Sequence, residues 1–416
     1  MGNKKYASAS MGEIIKSLLN YNFMLLILIQ IINSFANNMV KTPVNKFGEA
    51  LGAGATVLGV IISIYNLSVT ATRPFSGMGL DKMKKKNWLL ICLGLRCVSF
   101  LCYAMTGSIP MFILSRVLHG ISFSLVGTSF PAVAGMAIDK RALGTAYAVY
   151  LTAPKLISSF APMVSMHIYK TYGARTSFLC ATGLIAIAMV FVAMLKLDEK
   201  TGNAAPKSAV KQKAKLSWKS VGELICFAAI PASILQLFIG LTHNCIQDYI
   251  IIYGEYKMIA NIAMFLTIEG FIGVFCRFIG GVASDKMGPD FLVVCLVALG
   301  ISPVLIAGAS SWGVILILAA LCDQIGQSCS YPATLAMAIK SANDNQRGIA
   351  ISTLYLFVDL SGIIGGFLSG ALRSAVGYEN MFRVYAIFPF LGIAVYFMVR
   401  KRLIAKLNGD EAQANA

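Results

Sequence analysis

Stretches of roughly twenty apolar residues recur along the whole chain, centred near Ile29, Ile62, Gly94, Phe123, Ala153, Ala186, Ile239, Gly270, Val297, Cys322, Gly362 and Gly392. Each is long enough to cross ~30 Å of hydrocarbon as an α-helix rising 1.5 Å per residue. A bilayer core offers the backbone no water, so a spanning segment must satisfy its own N–H and C=O groups or close into a barrel. Unbroken apolar runs of this length exclude the alternating strands of a barrel. Composition points the same way. Of 416 residues, 57% are hydrophobic and 13% charged, too little charge to coat a water-soluble fold. The reading is an all-α polytopic membrane protein with twelve transmembrane helices. No small-x-small cleavage site follows the first run, residues 23–35, so it reads as a retained helix.

The formal charge of +17 is distributed by side rather than massed on one patch. With the N-terminus placed in the cytoplasm, Lys4, Lys5, Lys82, Lys84, Lys85, Lys86, Lys140, Arg141, the Lys-rich segment 196–219, Lys286 and Arg400 all fall inside. The opposite loops hold Lys41, Lys46, Lys170, Arg175, Lys257, Arg373 and Arg383. That asymmetry orients the chain with both termini cytoplasmic, and makes the basic loops topology signals rather than a nucleic-acid surface. Ten cysteines lie mostly inside apolar runs without CxxC or a nearby His cluster, so neither a disulfide framework nor a metal site is indicated, and no cofactor is expected.

A duplication organises the chain. Residues 73–83 and 277–287 share Arg-x-x-x-Gly-x-x-x-Asp-Lys-Met at a displacement of 204. The same displacement relates Gly173 and Phe178 to Gly377 and Phe382. Between spans six and seven, residues 196–220 are polar, basic and aperiodic, a cytoplasmic linker between six-helix bundles at 1–195 and 221–416. Two halves of parallel topology suit a carrier that rocks about a central site.

Twelve spans, a basic central loop and Gly77-x-x-x-Asp81-Lys82-x-x-Lys85-Lys86 after span two resemble the major facilitator superfamily along essentially the whole chain. Lys84 replaces an expected glycine, and Pro289-Asp290 replaces the basic pair in the second copy. The resemblance implies two pseudo-symmetric six-helix bundles and transport by alternating access, with the inner membrane of a bacterium as the expected setting. It makes Arg73, Gly77, Asp81 and Lys82, with Arg277, Gly281, Asp285 and Lys286, a cytoplasmic gate. Arg116-x-x-His119-Gly120 on span four is similar to a motif of bacterial efflux permeases. The antiporter signature of span five is eroded: Pro162 remains, but Ala161, Ser165 and Met166 stand where glycines belong. In the family arrangement span two faces span eleven and span five faces span eight.

Ionisable residues inside the spans are few and costly, about 2.5–3.5 kcal/mol each at a helix centre, which makes them functional candidates. Arg96, Arg116, His119, Lys155, Glu269, Asp323 and Asp359 are therefore placed along a solute and proton cavity, joined by Asn33, Asn37, Phe123 and Gln327. Buried carboxylates suit proton carriage. The expected partners are a small organic solute, protons and the bilayer, acting on a monomer.

An enzyme is disfavoured, because no acid pair or nucleophile–base pair occurs at recognisable spacing. Two transport readings remain open: proton-coupled export of amphiphilic compounds, favoured by Arg116-x-x-His119-Gly120, and uptake or exchange of a small organic anion, favoured by Arg96, Arg116 and Lys155. The topology predicts that Lys46→Cys and Lys257→Cys label with an impermeant maleimide from outside, whereas Lys84→Cys and Lys211→Cys label only after the cytoplasmic face is opened. The reverse pattern refutes this orientation.

Overall fold

The computed structural model describes residues 20–137, 143–196, 225–342, 346–398 and Arg400, and every regular element among them is helical. In chain order they are α1 (Tyr21–Ala50), α2 (Ala55–Lys82), α3 (Lys85–Met105), α4 (Ile109–Ala137), α5 (Leu143–Ser158), α6 (Ala161–Tyr172) and α7 (Ala174–Met194). There follow α8 (Ile230–Tyr256), α9 (Ala263–Met287), α10 (Phe291–Gly308), α11 (Val314–Gln324), a π-helical turn (Ile325–Cys329), α12 (Ser330–Ser341) and α13 (Arg347–Tyr385). A last helical stretch, α14, covers 387–398.

Ten of the described helical segments are long and apolar enough to cross a membrane, rather than the twelve read from sequence. Local chemistry explains the difference. The fifth run is broken at Ser159 and Phe160, because Pro162 at the start of α6 cannot donate to a continuing helix, which leaves α5 and α6 each short. The last candidate runs 50 residues, Ile349–Met398, past a break at Gly377. At 1.5 Å per residue that is more than twice the hydrocarbon thickness, too long for one crossing.

The duplication has a backbone signature. Gly173 between α6 and α7 has φ +86° and ψ 167°, and its repeat partner Gly377 has φ +77° and ψ 176°. Side-chain-bearing residues rarely adopt that region, so each half turns at a glycine in the same way.

The chain divides into two compact units. The first comprises residues 1–53 and 67–206; the second comprises 54–66 and 207–416. In the first, α3 packs on α4 and α7, and α1 packs on α5, α6 and α7. Its interior holds an aromatic cluster in which Phe47 meets Phe112 and Phe178 at 5.8 and 5.3 Å, while Tyr103 meets the same two rings at 5.8 and 5.5 Å. Asn20 starts α1 by accepting from the backbone N–H groups of Asn22 and Phe23.

In the second unit α13 packs on α8, and α9 and α10 pack on α11 and the π turn. Leu235, Ile239, Leu296, Leu299 and Leu354 form its buried core. The opening turns of α2 also belong here, seated on α13 as the family arrangement of spans two and eleven implies. Ser63 Oγ donates to the Ile363 carbonyl (2.7 Å) and Asn66 Nδ2 to that of Gly362 (3.0 Å). A Cβ on Gly59 would lie 2.6 Å from the Gly366 carbonyl oxygen and 2.8 Å from Gly370 Cα, so only glycine allows this approach. Outward faces carry Leu114, Val190, Phe278 and Phe367, exposed and apolar as a lipid-facing surface requires.

Where the second gate motif has Asp290 instead of a base, Arg400 supplies one: its Nε and Nη2 donate to the Asp290 carboxylate at 2.8 and 2.6 Å, and Tyr396 OH donates at 2.7 Å. The guanidinium, then the phenol, hold Asp290 below the usual carboxylate range. The pair therefore stabilises above the unfolded carboxyl pKa and is lost as pH falls through the lower folded value; its exposure keeps the contribution small.

Gly59→Val is expected to lower stability by about 1–3 kcal/mol through overpacking against backbone, read as a lower unfolding midpoint of the detergent-solubilised protein. An unchanged midpoint means α2 and α13 are not held at this distance.

Candidate functional site

Polar residues singled out in the spans form one cluster in each unit, although not all of them join one. In the first unit, Asn33 and Asn37 lie one turn apart on α1, Arg96 and Tyr103 on α3, and Arg116, His119 and Phe123 on α4. Arg96 is 1% exposed, Arg116 3% and His119 1%. Arg96 Nη1 donates to Asn33 Oδ1, and its guanidinium sits 5.5 Å from the Phe123 ring centre. That ring therefore acts as a cation–π partner.

His119 is held on both sides. Its Nε2 lies 3.0 Å from Asn37 Oδ1 and its Nδ1 3.3 Å from the Tyr103 hydroxyl, with Phe100 edge-on at 5.1 Å. With Nε2–H donating to the amide oxygen, Nδ1 is left to accept from Tyr103, so a neutral imidazole satisfies both contacts. Within these contacts His119 serves as the hub of a hydrogen-bonded packing cluster. Lys155 lies on α5 of the same unit, half-buried, ahead of the break at Ser159.

The second cluster gathers acids. Glu269 on α9 and Asp323 on α11 are 1% and 0% exposed. His243 on α8 joins them, with Nδ1 2.8 Å from Asp323 Oδ2 and 3.7 Å from Glu269 Oε1. Gln324 Nε2 donates to both carboxylates, at 2.7 Å to Glu269 and 3.2 Å to Asp323. Gln247, one turn beyond His243, donates to Glu269 as well. Ser328 fixes the amide of Gln324 by donating to its Oε1 at 2.6 Å.

Two backbone features make this convergence possible. Gly273 lies one turn after Glu269, and a Cβ there would come 2.3 Å from Gln324 Oε1, so the glycine opens the room in which the amide sits. The π turn begins directly after Gln324 and presents Ser328 to it; such turns concentrate at functional sites.

The structure thus unites Glu269 with Asp323 and adds His243, Gln247 and Gln324, which the sequence reading had not selected. His243 lies in a polar stretch with Asn244, Gln247 and Asp248, whose helical spacing was the available signal. Gln327 lies in the π turn, while Asp359, half-buried on α13, contributes no atom to the His243 group. Among the gate residues, Arg73 is half-buried and Arg277 exposed. The side chains of Gly77, Asp81, Lys82, Gly281, Asp285 and Lys286 lie outside the described residues.

Apolar helices with ionisable groups turned inward define a polytopic membrane protein whose buried polar residues are functional candidates. The family model of the Major Facilitator Superfamily matches residues 26–291 and 258–415, and the chain belongs to that family. It is 22% identical over 383 residues to the staphylopine export protein of Staphylococcus aureus, covering 89% of this chain and 94% of that protein. It is 21% identical over 365 residues to an uncharacterised MFS-type transporter of Methanocaldococcus jannaschii, covering 85% and 92%. Among solved structures, a POT family transporter in complex with a thioalcohol-conjugated peptide superposes with TM-score 0.74 at 15% identity, covering 94% of this chain and 99% of that one. The nucleoside transporter NupG superposes with TM-score 0.70 at 12% identity, covering 90% and 99%. The solved structures share the fold, and these relatives are transporters.

Arg96→Lys keeps the charge but loses the planar fork that meets Asn33 and Phe123 together. It is expected to cost about 1–3 kcal/mol, the scale of a lost buried hydrogen bond, seen as a lower thermal midpoint. A midpoint equal to the native protein's refutes the pairing.

Proposed function

We propose that the protein is a secondary active transporter that exports a small amphiphilic organic solute across the cytoplasmic membrane in exchange for protons. It works by alternating access of two six-helix bundles, as a monomer with both termini in the cytoplasm. The observation that carries coupling is the pair of buried carboxylates, Glu269 and Asp323, meeting at one histidine inside the spans. Buried acids inside the spans are suited to binding and releasing a proton as water reaches them. Export is supported by similarity to an export protein over 94% of its length and by Arg116-x-x-His119-Gly120. The paired loop motifs at Asp81 and Asp285 serve in this reading as a cytoplasmic latch.

A second reading, uptake or exchange of a small organic anion, draws on Arg96 and Arg116, two guanidinium groups buried in one unit. Purified protein in liposomes separates the two. An imposed pH gradient should drive accumulation of an amphiphilic cationic dye by wild type. Glu269→Gln should bind the dye, exchange it at equilibrium and fail to concentrate it. Full gradient-driven accumulation by Glu269→Gln, Asp323→Asn and Asp359→Asn alike refutes coupling through these acids, and carboxylate–carboxylate exchange without dye movement favours the anion reading.

A further inference from the structure

We propose that His243, Glu269 and Asp323 form a binding site for a divalent first-row transition-metal ion of the Zn2+ class, lying wholly within the second unit. The inference does not depend on proton coupling. Three helices each bring one donor: an imidazole nitrogen from α8 and carboxylate oxygens from α9 and α11. These donor atoms all lie within 4.8 Å of one another, with His243 Nδ1 at 2.8 and 3.7 Å from the two oxygens. An ion held at about 2.0–2.2 Å by nitrogen and oxygen donors places them ~3–3.6 Å apart. The two distances from His243 straddle that span, so small side-chain rotations suffice to close the three donors on one ion.

Glu269 points independently to a cation. Its carboxylate is 99% buried, yet Oε2 has no hydrogen-bond partner. Its other oxygen, Oε1, is already engaged by Gln247 and Gln324. A buried carboxylate oxygen without a donor is costly, and the free lone pairs of Oε2 lie on the group that faces His243. The glutamines complete the arrangement. They donate to the carboxylate rather than compete for an ion, and Ser328 locks Gln324 in that orientation, which is how outer-shell partners aim a metal ligand.

The donor set selects the ion. Ca2+ and Mg2+ take oxygen ligands, six or more of them. One imidazole with two carboxylates matches Zn2+, Co2+ and their neighbours, which accept mixed nitrogen and oxygen ligands. Three protein donors leave a coordination position open, as in sites that exchange a ligand rather than sites that are purely structural.

The test uses the full-length, tag-free protein, stripped of metal and titrated with Zn2+ and Co2+ at one fixed neutral pH. Wild type should bind one equivalent per chain, and Co2+ should show visible ligand-field bands. His243→Ala and Glu269→Gln should each weaken binding at least tenfold, while His167→Ala, which changes an exposed histidine, should bind as wild type does. His243→Cys should retain the ion and add a thiolate-to-cobalt charge-transfer band. That variant decides the matter even if the others fail to fold: wild type carries ten cysteines of its own, so a band present in His243→Cys and absent from wild type identifies residue 243 as the ligand. No saturable equivalent in folded wild type, binding unchanged in both His243→Ala and Glu269→Gln, or a His243→Cys protein without the band overturns the site. Gradient-driven transport by a protein that binds no metal removes this inference alone, and a bound equivalent in a protein that ignores the pH gradient removes only the coupling reading.

Discussion

Hydrocarbon has no hydrogen-bonding partner to offer, and this protein is arranged around that fact. Backbone groups are closed within helices, and the few places where a helix is interrupted have a local cause, such as Pro162 or Gly377. The same constraint acts on side chains. Arg96, His119, Glu269 and Asp323 can remain in the spans only because each is turned inward among polar neighbours.

The two polar clusters meet that constraint differently. Around His119, donors and acceptors match: Asn37 and Tyr103 take the two ring nitrogens, and aromatic edges fill the remaining space. Such a network rigidifies a core. Around Glu269, two carboxylates share the Gln324 amide and one histidine, Gln247 donates to Glu269 as well, and Glu269 Oε2 is buried with no hydrogen-bond partner. A buried carboxylate oxygen without a hydrogen-bond donor favours a cation beside it, whether a proton or a metal ion.

Close helix approach supplies the geometry. Gly273 allows Gln324 to reach Glu269, and Gly59 with Gly370 brings α2 and α13 nearly into backbone contact. Small residues matter more in lipid than in water, since dispersion and interhelical hydrogen bonds replace the hydrophobic drive between helices. Ser63 and Asn66 exploit the resulting proximity to donate to carbonyls of the facing helix.

The sequence by itself determined the helical class, the membrane setting, the duplication and the family. Each of these rests on local quantities: run length, rarity of charge and a repeated spacing, all of which survive without knowing what touches what. It also marked Glu269 and Asp323, because a charge inside an apolar run is conspicuous in one dimension. Only the tertiary structure decided which polar residues share a site. His243 was hidden among Asn244, Gln247 and Asp248 on a helix with several polar positions, and nothing along the chain relates it to acids on two other helices. His119 stands in a recognisable motif, and only packing reveals that Asn37 and Tyr103 hold its two ring nitrogens. The span count also needed three dimensions, since one hydropathic run can hold a proline break and a single helical run can turn at a glycine. Hydropathy is additive along a chain, whereas hydrogen bonding and coordination depend on distances between helices that only packing sets.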